Sequence, residues 1–213
     1  MKYILLLCGL LLFGCNKGKR YHSNAPVVLN KINSSTIKDI LTFQKALDGT
    51  FKNPESSPLK KKDQKDFTGL DFFPVDTAYY IIAEFVRTPN ELPFMMPTTT
   101  SRKTVEIKYG EVYFKIDGKE LKLNVYQNQE LKLTQEYKDY LFLPFSDLTN
   151  GEETYGGGRY IDLSVPDSDT IVIDFNKAYN PYCAYNEKYS CPIVPSENIL
   201  EVAIRAGVKA YKN

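Results

Sequence analysis

Asp117-Gly118 constrains the fold of this chain more than any other pair of residues. The dipeptide favours a two-residue hairpin, because a type I′ turn needs positive φ at both central positions and Asp and Gly tolerate it. Apolar residues alternate on both sides of the turn. Val112, Phe114 and Ile116 run in, and Leu121, Leu123 and Val125 run out. A period of two is the mark of a strand with one buried face. Thr77 to Arg87 reads as a further, central strand, apolar on both faces at Tyr79-Tyr80-Ile81-Ile82. Thr98 to Tyr109 alternates with Val105 and Ile107 on one face. Tyr137–Leu143, Tyr160–Val165, Thr170–Phe175 and Ile199–Ala206 add more short strands. Such spacing predicts a mainly β fold: an antiparallel β-barrel or sandwich, with one N-terminal α-helix and long C-terminal loops. Tyr 16, Phe 12 and no Trp fit that bias.

The helix is predicted from Ser34 or Ser35, either of which can cap it, with Ile37, Ile40, Leu41 and Leu47 on one face beside Ala46. Gly49 is its expected stop. Lys52 to Lys65, with Pro54, Pro58 and the run Lys60-Lys61-Lys62, reads as a solvated loop. The helix is expected to pack on one side of the sheet or to plug an open end.

The first residues carry an address. Lys2 precedes an almost unbroken apolar run from Tyr3 to Phe13. A helix over that run rises roughly 16 Å, well short of a roughly 30 Å hydrocarbon core, so a signal h-region fits better than a membrane span. The run ends Leu12-Phe13-Gly14-Cys15, which resembles the lipobox of bacterial lipoproteins. Residues 1–14 are therefore expected to be a lipoprotein signal peptide, and Cys15 the lipidated first residue of the mature chain. Residues 15–33 read as a tether, and 34–213 as a single β-rich domain. The expected location is the cell envelope, with a membrane held through the lipid. Asn16 after the Cys weakly favours the outer membrane.

The tether holds His22, the single His, which sets aside His-based zinc sites and Ser-His-Asp triads. Lys+Arg 27 against Asp+Glu 26 gives no basic excess, so nucleic acid is not an expected partner. With Cys8 removed and Cys15 lipidated, Cys183 and Cys191 remain. A disulfide between them would stabilise by roughly 2.6 kcal/mol on chain-entropy grounds. Two buried thiols are the alternative, and a metal site is the weakest of the three readings.

Residues 144–198 differ in character. Asp, Asn, Arg, Tyr and Gly cluster there without amphipathic logic, as residues of a site do. Asp147, Glu153, Tyr155, Arg159, Asp162, Asp174, Asn176 and Asn180 are the candidate ligand-site residues. Gly156-Gly157-Gly158-Arg159 could form an anion nest, although glycine in a strand more often marks a bulge or bend. Glu153, Asp162 and Asp174 could supply a carboxylate pair for glycoside hydrolysis with Arg159 as a clamp. The plainer reading pairs Asp162 and Asp174 with Arg159 inside the domain. Tyr155, Tyr160, Tyr179, Tyr182 and Tyr185 could stack on sugars or simply fill the core. Asn176, Asn180 and Asn198 could cap turns. Asp147, Thr149 and Glu153 could hold Ca²⁺ through oxygen ligands, yet they lack the spacing of an EF-hand loop.

The stretches FSDLTNGEETYGGGRYIDL and IDFNKAYNPYCAYNEKYSCPIVPSEN, with Ser57-Pro58-Leu59, Phe67-Thr68-Gly69-Leu70 and Phe73-Pro74 before them, resemble domain-of-unknown-function family 1684. The resemblance runs from the helix to Gly207. It implies no established activity and transfers no catalytic role. It also implies relatives without export signals, which keeps both thiol readings of the Cys pair open. No nucleophile–base pair, metal cluster or cofactor fingerprint is present in the pattern, and no cofactor is expected. The leading expectation is a binding or structural module for a small-molecule or saccharide ligand. The rivals are a carboxylate-dependent hydrolase and a barrel that carries an apolar ligand.

Overall fold

The computed structural model describes residues 34–211; the expected signal peptide, Cys15 and the expected tether with His22 lie outside the described residues. In chain order the main elements are α1 (Ser34–Lys52), α2 (Lys61–Gln64), β1 (Tyr80–Arg87), β2 (Phe94–Pro97), β3 (Lys103–Ile116), β4 (Lys119–Asn128), β5 (Tyr140–Phe145), β6 (Arg159–Ser164) and β7 (Thr170–Asp174). The strands make one seven-stranded antiparallel sheet in the order β6-β5-β4-β3-β1-β7, with β2 also paired to β3. The sheet curls into a half-barrel, so the fold is mainly antiparallel β with one principal helix.

The Asp117-Gly118 turn forms as expected, with φ of 50° and 76°. The strand entering it differs from the expectation. Thr98–Tyr109 and 112–116 are not two strands: β3 is one strand from Lys103 to Ile116, and β2 precedes it. A register shift between Lys108 and Gly110 inserts one residue. A bulge reverses the alternation. That is why Val105 and Ile107 fall on odd positions while Val112, Phe114 and Ile116 fall on even ones. Gly110 also lets the neighbouring strand close in, because a Cβ there would lie 2.6 Å from the Phe85 ring.

The concave face carries the core. Val112, Leu123, Leu141, Leu143, Phe145, Ile173 and Phe175 are buried together, and Leu200, Val202, Ile204 and Ala206 fold in against them. Phe145 and Phe175 meet edge to face at 5.1 Å. Side chains occupy this interior, which overturns the idea of an apolar cargo inside a barrel. Residues 199–206 were expected to be a strand. Their alternation is real, yet only Ile199 makes a bridge, parallel to Ser146. The Val202 carbonyl also accepts from the Leu148 N–H at 3.0 Å, and beyond it side chains take over the pairing.

Asn198 is the first of those side chains. It is fully buried. Its Oδ1 accepts from the Asn124 N–H at 2.8 Å, and its Nδ2 donates to the Asn124 carbonyl at 2.8 Å and the Pro144 carbonyl at 2.6 Å. Asn176 behaves alike, bonding both the N–H and the carbonyl of Asp76 at 2.9 Å. These asparagines splice distant segments rather than cap local turns, contrary to the expectation.

Helix α1 lies against the outside of the domain. Ile40, Gln44 and Phe51 are its buried residues, while Ile37 and Leu41 are exposed, so the buried stripe is narrower than expected. Gly49 does not end the helix, which runs on to Lys52. Phe51 anchors that end against Tyr185 at 4.6 Å. The Lys52–Lys65 stretch is not wholly solvated: Pro58 and Leu59 are buried and α2 follows.

Asn198→Ala should cost about 2–4 kcal/mol, because it leaves three backbone groups buried and unpaired. A urea midpoint equal to that of the wild type would contradict the splicing role.

Candidate functional site

Arg159 opens β6 and its side chain is fully buried. It does not meet Asp162 or Asp174, as the plainer reading expected. Its partner is Asp147, with Nη2 to Oδ2 at 2.8 Å. The guanidinium also donates to the carbonyls of Ile204 at 2.8 Å, Ala206, and Val208 at 3.5 Å. Burial works against its charge and Asp147 works for it. The second Asp147 oxygen accepts from Thr149 N at 2.9 Å, Thr149 Oγ1 at 2.6 Å and Ile204 N at 3.2 Å. Both carboxylate oxygens are thus engaged internally. Arg159 faces neither cleft described below and cannot act as a clamp on a ligand.

The triglycine stretch before it is a tight turn, in which Gly158 N–H donates to the Tyr155 carbonyl at 3.1 Å. Gly158 has φ +88°, and a Cβ there would lie 2.7 Å from the Phe145 carbonyl. The stretch is a turn before β6, not a bulge within it, and it delivers Arg159 into the core.

Other candidates disperse. Glu153 pairs with Arg205 at 2.9 Å on the surface. Tyr155 turns toward Cys183, with Oη 3.9 Å from Sγ. Asn180 is buried and donates to the Lys209 carbonyl at 2.9 Å. Asn176 holds Asp174, donating from its backbone N at 3.1 Å and from Nδ2 at 3.0 Å to Asp174 Oδ1. Cys183 and Cys191 lie together unbonded in this structure, Cys183 half-buried and Cys191 buried.

Asp162 is the candidate that faces outward. The pleat sends Tyr160 and Asp162 of β6 to the outer face while Ile161 joins the core. Tyr179 runs beside this edge strand, exchanging two backbone bonds with Tyr160 at 2.9 and 3.0 Å. Its hydroxyl donates to Asp162 Oδ1 at 2.6 Å, and the Tyr140 hydroxyl donates to the same oxygen at 2.8 Å. Burial, and then the Asp162 charge, push both phenols above their ordinary pKa, so they remain donors.

Two clefts meet at Asp162. One, of about 380 Å³, is walled by Phe43 and Leu47 of α1 and by Tyr160, Tyr179, Tyr182 and Tyr189. The other, of about 320 Å³, is bordered by Asp39, Phe43, Tyr80, Asp162, Asp174 and Lys177. Both volumes suit a small molecule. Of the tyrosines marked for stacking, Tyr160, Tyr179 and Tyr182 line a cleft, whereas Tyr185 is packed against α1. Tyr140, Tyr189 and Phe43 were not foreseen. Tyr189 lies within the marked segment, but nothing in the pattern singled it out. In the second cleft, Asp174 is 5% exposed and its Oδ2 has no partner. Burial pushes its carboxyl up, against the bonds from Asn176 and the charge of Lys177.

The fold and the site together define a β-scaffold with an aromatic cleft on its convex side. The family described as protein of unknown function (DUF1684) matches residues 65–209, and the chain belongs to that family. The solution structure of an uncharacterised protein from gene locus rrnAC0354 of Haloarcula marismortui is similar at 30% identity and a TM-score of 0.65, over 82% of this chain and 94% of that one. No curated protein matches the chain.

Arg159→Ala should destabilise the fold by about 3–5 kcal/mol, since it strands Asp147 and three carbonyls in the core. Arg159→Lys should recover only part of that, having one nitrogen for several acceptors. Thermal melts test this, and an unshifted melt of the Ala variant would contradict it.

Proposed function

We propose that this chain is a lipid-anchored binding module of the cell envelope, and that it takes a small polyhydroxylated ligand, of saccharide type, in the cleft at Asp162. One observation carries the reading. Among the candidate polar residues, Asp162 is the one that is solvent-facing, aligned by two tyrosine hydroxyls and set beside a wall of aromatic rings. A carboxylate beside tyrosine rings suits a sugar, whose hydroxyls donate and whose C–H faces pack on aromatics. Of the other polar candidates, Glu153 pairs with Arg205 on the surface, Asp174 keeps one oxygen without a partner, and the rest bond inside the protein. The lipobox-like Leu12-Phe13-Gly14-Cys15 supports the anchor and the location outside the cytoplasm.

A second reading has a specific observation in its favour. Asp162 and Asp174 border the same open cleft, and their environments differ: one is exposed, the other buried with its carboxyl pushed up. Carboxylates held apart in this way are what acid–base hydrolysis of a glycoside requires. On that reading Asp174 is the acid and Asp162 the base, with no part for Arg159 or Glu153.

One set of variants separates the two. Calorimetry with soluble peptidoglycan disaccharide and maltose as probes should show binding that falls about tenfold or more in Asp162→Asn and in Tyr189→Ala. Asp174→Asn should leave binding in place. Binding by neither probe would contradict the saccharide reading. Turnover of a glycoside probe that Asp174→Asn abolishes, with binding retained, would establish the hydrolase instead.

The anchor has its own test. Cells fed labelled palmitate should label the protein and hold it in the membrane fraction, and Cys15→Ser should remove both. Labelling that survives the substitution would contradict lipidation at Cys15.

A further inference from the structure

We propose that Cys183 and Cys191 form a peroxide-reactive dithiol site beside the aromatic cleft, with Cys183 as the attacking thiol and Cys191 as the resolving one. The proposal does not depend on what the cleft binds.

The two residues are placed differently although they touch. Cys191 is buried, whereas Cys183 is half-exposed. The Cys183 N–H donates to Cys191 Sγ at 3.1 Å. That contact brings the buried sulfur to the backbone of the accessible residue. Tyr155 places its hydroxyl 3.9 Å from Cys183 Sγ on another side. Thr99 ties the second thiol in place, because its Oγ1 accepts from the Cys191 N–H at 3.1 Å and its own N–H donates to the Cys191 carbonyl at 2.9 Å. Cys191 also borders the tyrosine-walled cleft, so the pair adjoins an opening to solvent.

The environment sets the roles. The adjoining Cys191 side chain holds the Cys183 thiol down to about 6, against burial, with Tyr155 and Thr99 adding to the effect. The same bond and burial push Cys191 up. Thiolate, not thiol, is the nucleophile. Near neutral pH Cys183 is therefore the reactive sulfur and Cys191 is a protonated reserve.

The chemistry balances with a hydroperoxide as oxidant. The Cys183 thiolate attacks one peroxide oxygen. The O–O bond breaks, and the alkoxide or hydroxide leaves and takes up a proton. Cys183 is now a sulfenic acid. Cys191 gives its proton to the departing hydroxide and attacks Cys183 sulfur, so the S–O bond breaks and water leaves. Two thiols have lost two electrons to become a disulfide, and the peroxide has become an alcohol, or water, plus water. A dithiol returns the pair to the reduced state.

The test uses the membrane-extracted protein in detergent, with peptide mapping to read Cys183 and Cys191 separately. Stoichiometric hydrogen peroxide should link Cys183 to Cys191, and dithiothreitol should reverse it. Iodoacetamide should alkylate Cys183 about tenfold or more faster than Cys191, with a rate that rises through a midpoint near pH 6. Cys191→Ser should stop at a sulfenic acid on Cys183 that dimedone traps. Cys183→Ser should leave Cys191 unreacted. Native thiols that are both inert to peroxide would overturn the proposal, as would faster alkylation of Cys191. A disulfide already present in unreduced protein, which opens only on unfolding, would overturn it too.

Discussion

The buried pair of Arg159 and Asp147 is the interaction on which the rest of the structure leans. Taking a guanidinium and a carboxylate out of water costs several kcal/mol per ion, and their attraction offsets this only when the remaining donors and acceptors are also met. Here Thr149 and residues 204–208 meet all of them except the buried Arg159 Nε. Ile204, Ala206 and Val208 turn their carbonyls to the guanidinium, and the Ile204 N–H turns to Asp147. The segment that fills the half-barrel therefore needs no neighbouring strand at that point. The pair replaces part of a sheet ladder and fixes where the closing segment lies.

The same logic governs the other buried polar groups. Asn198 reads one backbone as a partner strand would, and Asn176 does so at Asp76. Residues 144–198 look like a site in the sequence because they are rich in groups that bond specifically. Most of that specificity is directed inward. What remains for a ligand is the convex side, where the pleat of β6 turns out Tyr160 and Asp162 and α1 brings Phe43 and Leu47 alongside.

Much of the sheet was legible because its signals are local. The Asp117-Gly118 turn and the alternation around it depend only on neighbours along the chain. The phase change between Ile107 and Val112 was visible too, but a bulge and a loop produce the same pattern, and only the β4 register distinguishes them. The closing segment misled for a related reason. Alternating burial at Leu200, Val202, Ile204 and Ala206 looks like a strand whether its carbonyls bond to another strand or to Arg159. At the site, Asp162 was legible as one carboxylate among several. Its surroundings were legible only in part: Tyr179 stood among the marked tyrosines, but Tyr140 and Phe43 come from separate parts of the chain and no spacing links them to Asp162. The choice of Asp147 over Asp162 as the Arg159 partner follows from the pleat: Arg159 points into the core and Asp162, three residues on, points out.

We propose that the conspicuous polar motif builds the scaffold while the convex cleft does the binding. Amide chemical-shift mapping during titration with soluble peptidoglycan disaccharide tests it most directly. The account predicts shifts concentrated at Tyr160, Asp162, Tyr179 and Tyr189, with the amides of the Tyr155–Gly158 turn unmoved. Shifts centred on that turn and on Asp147, with the convex cleft silent, would contradict it.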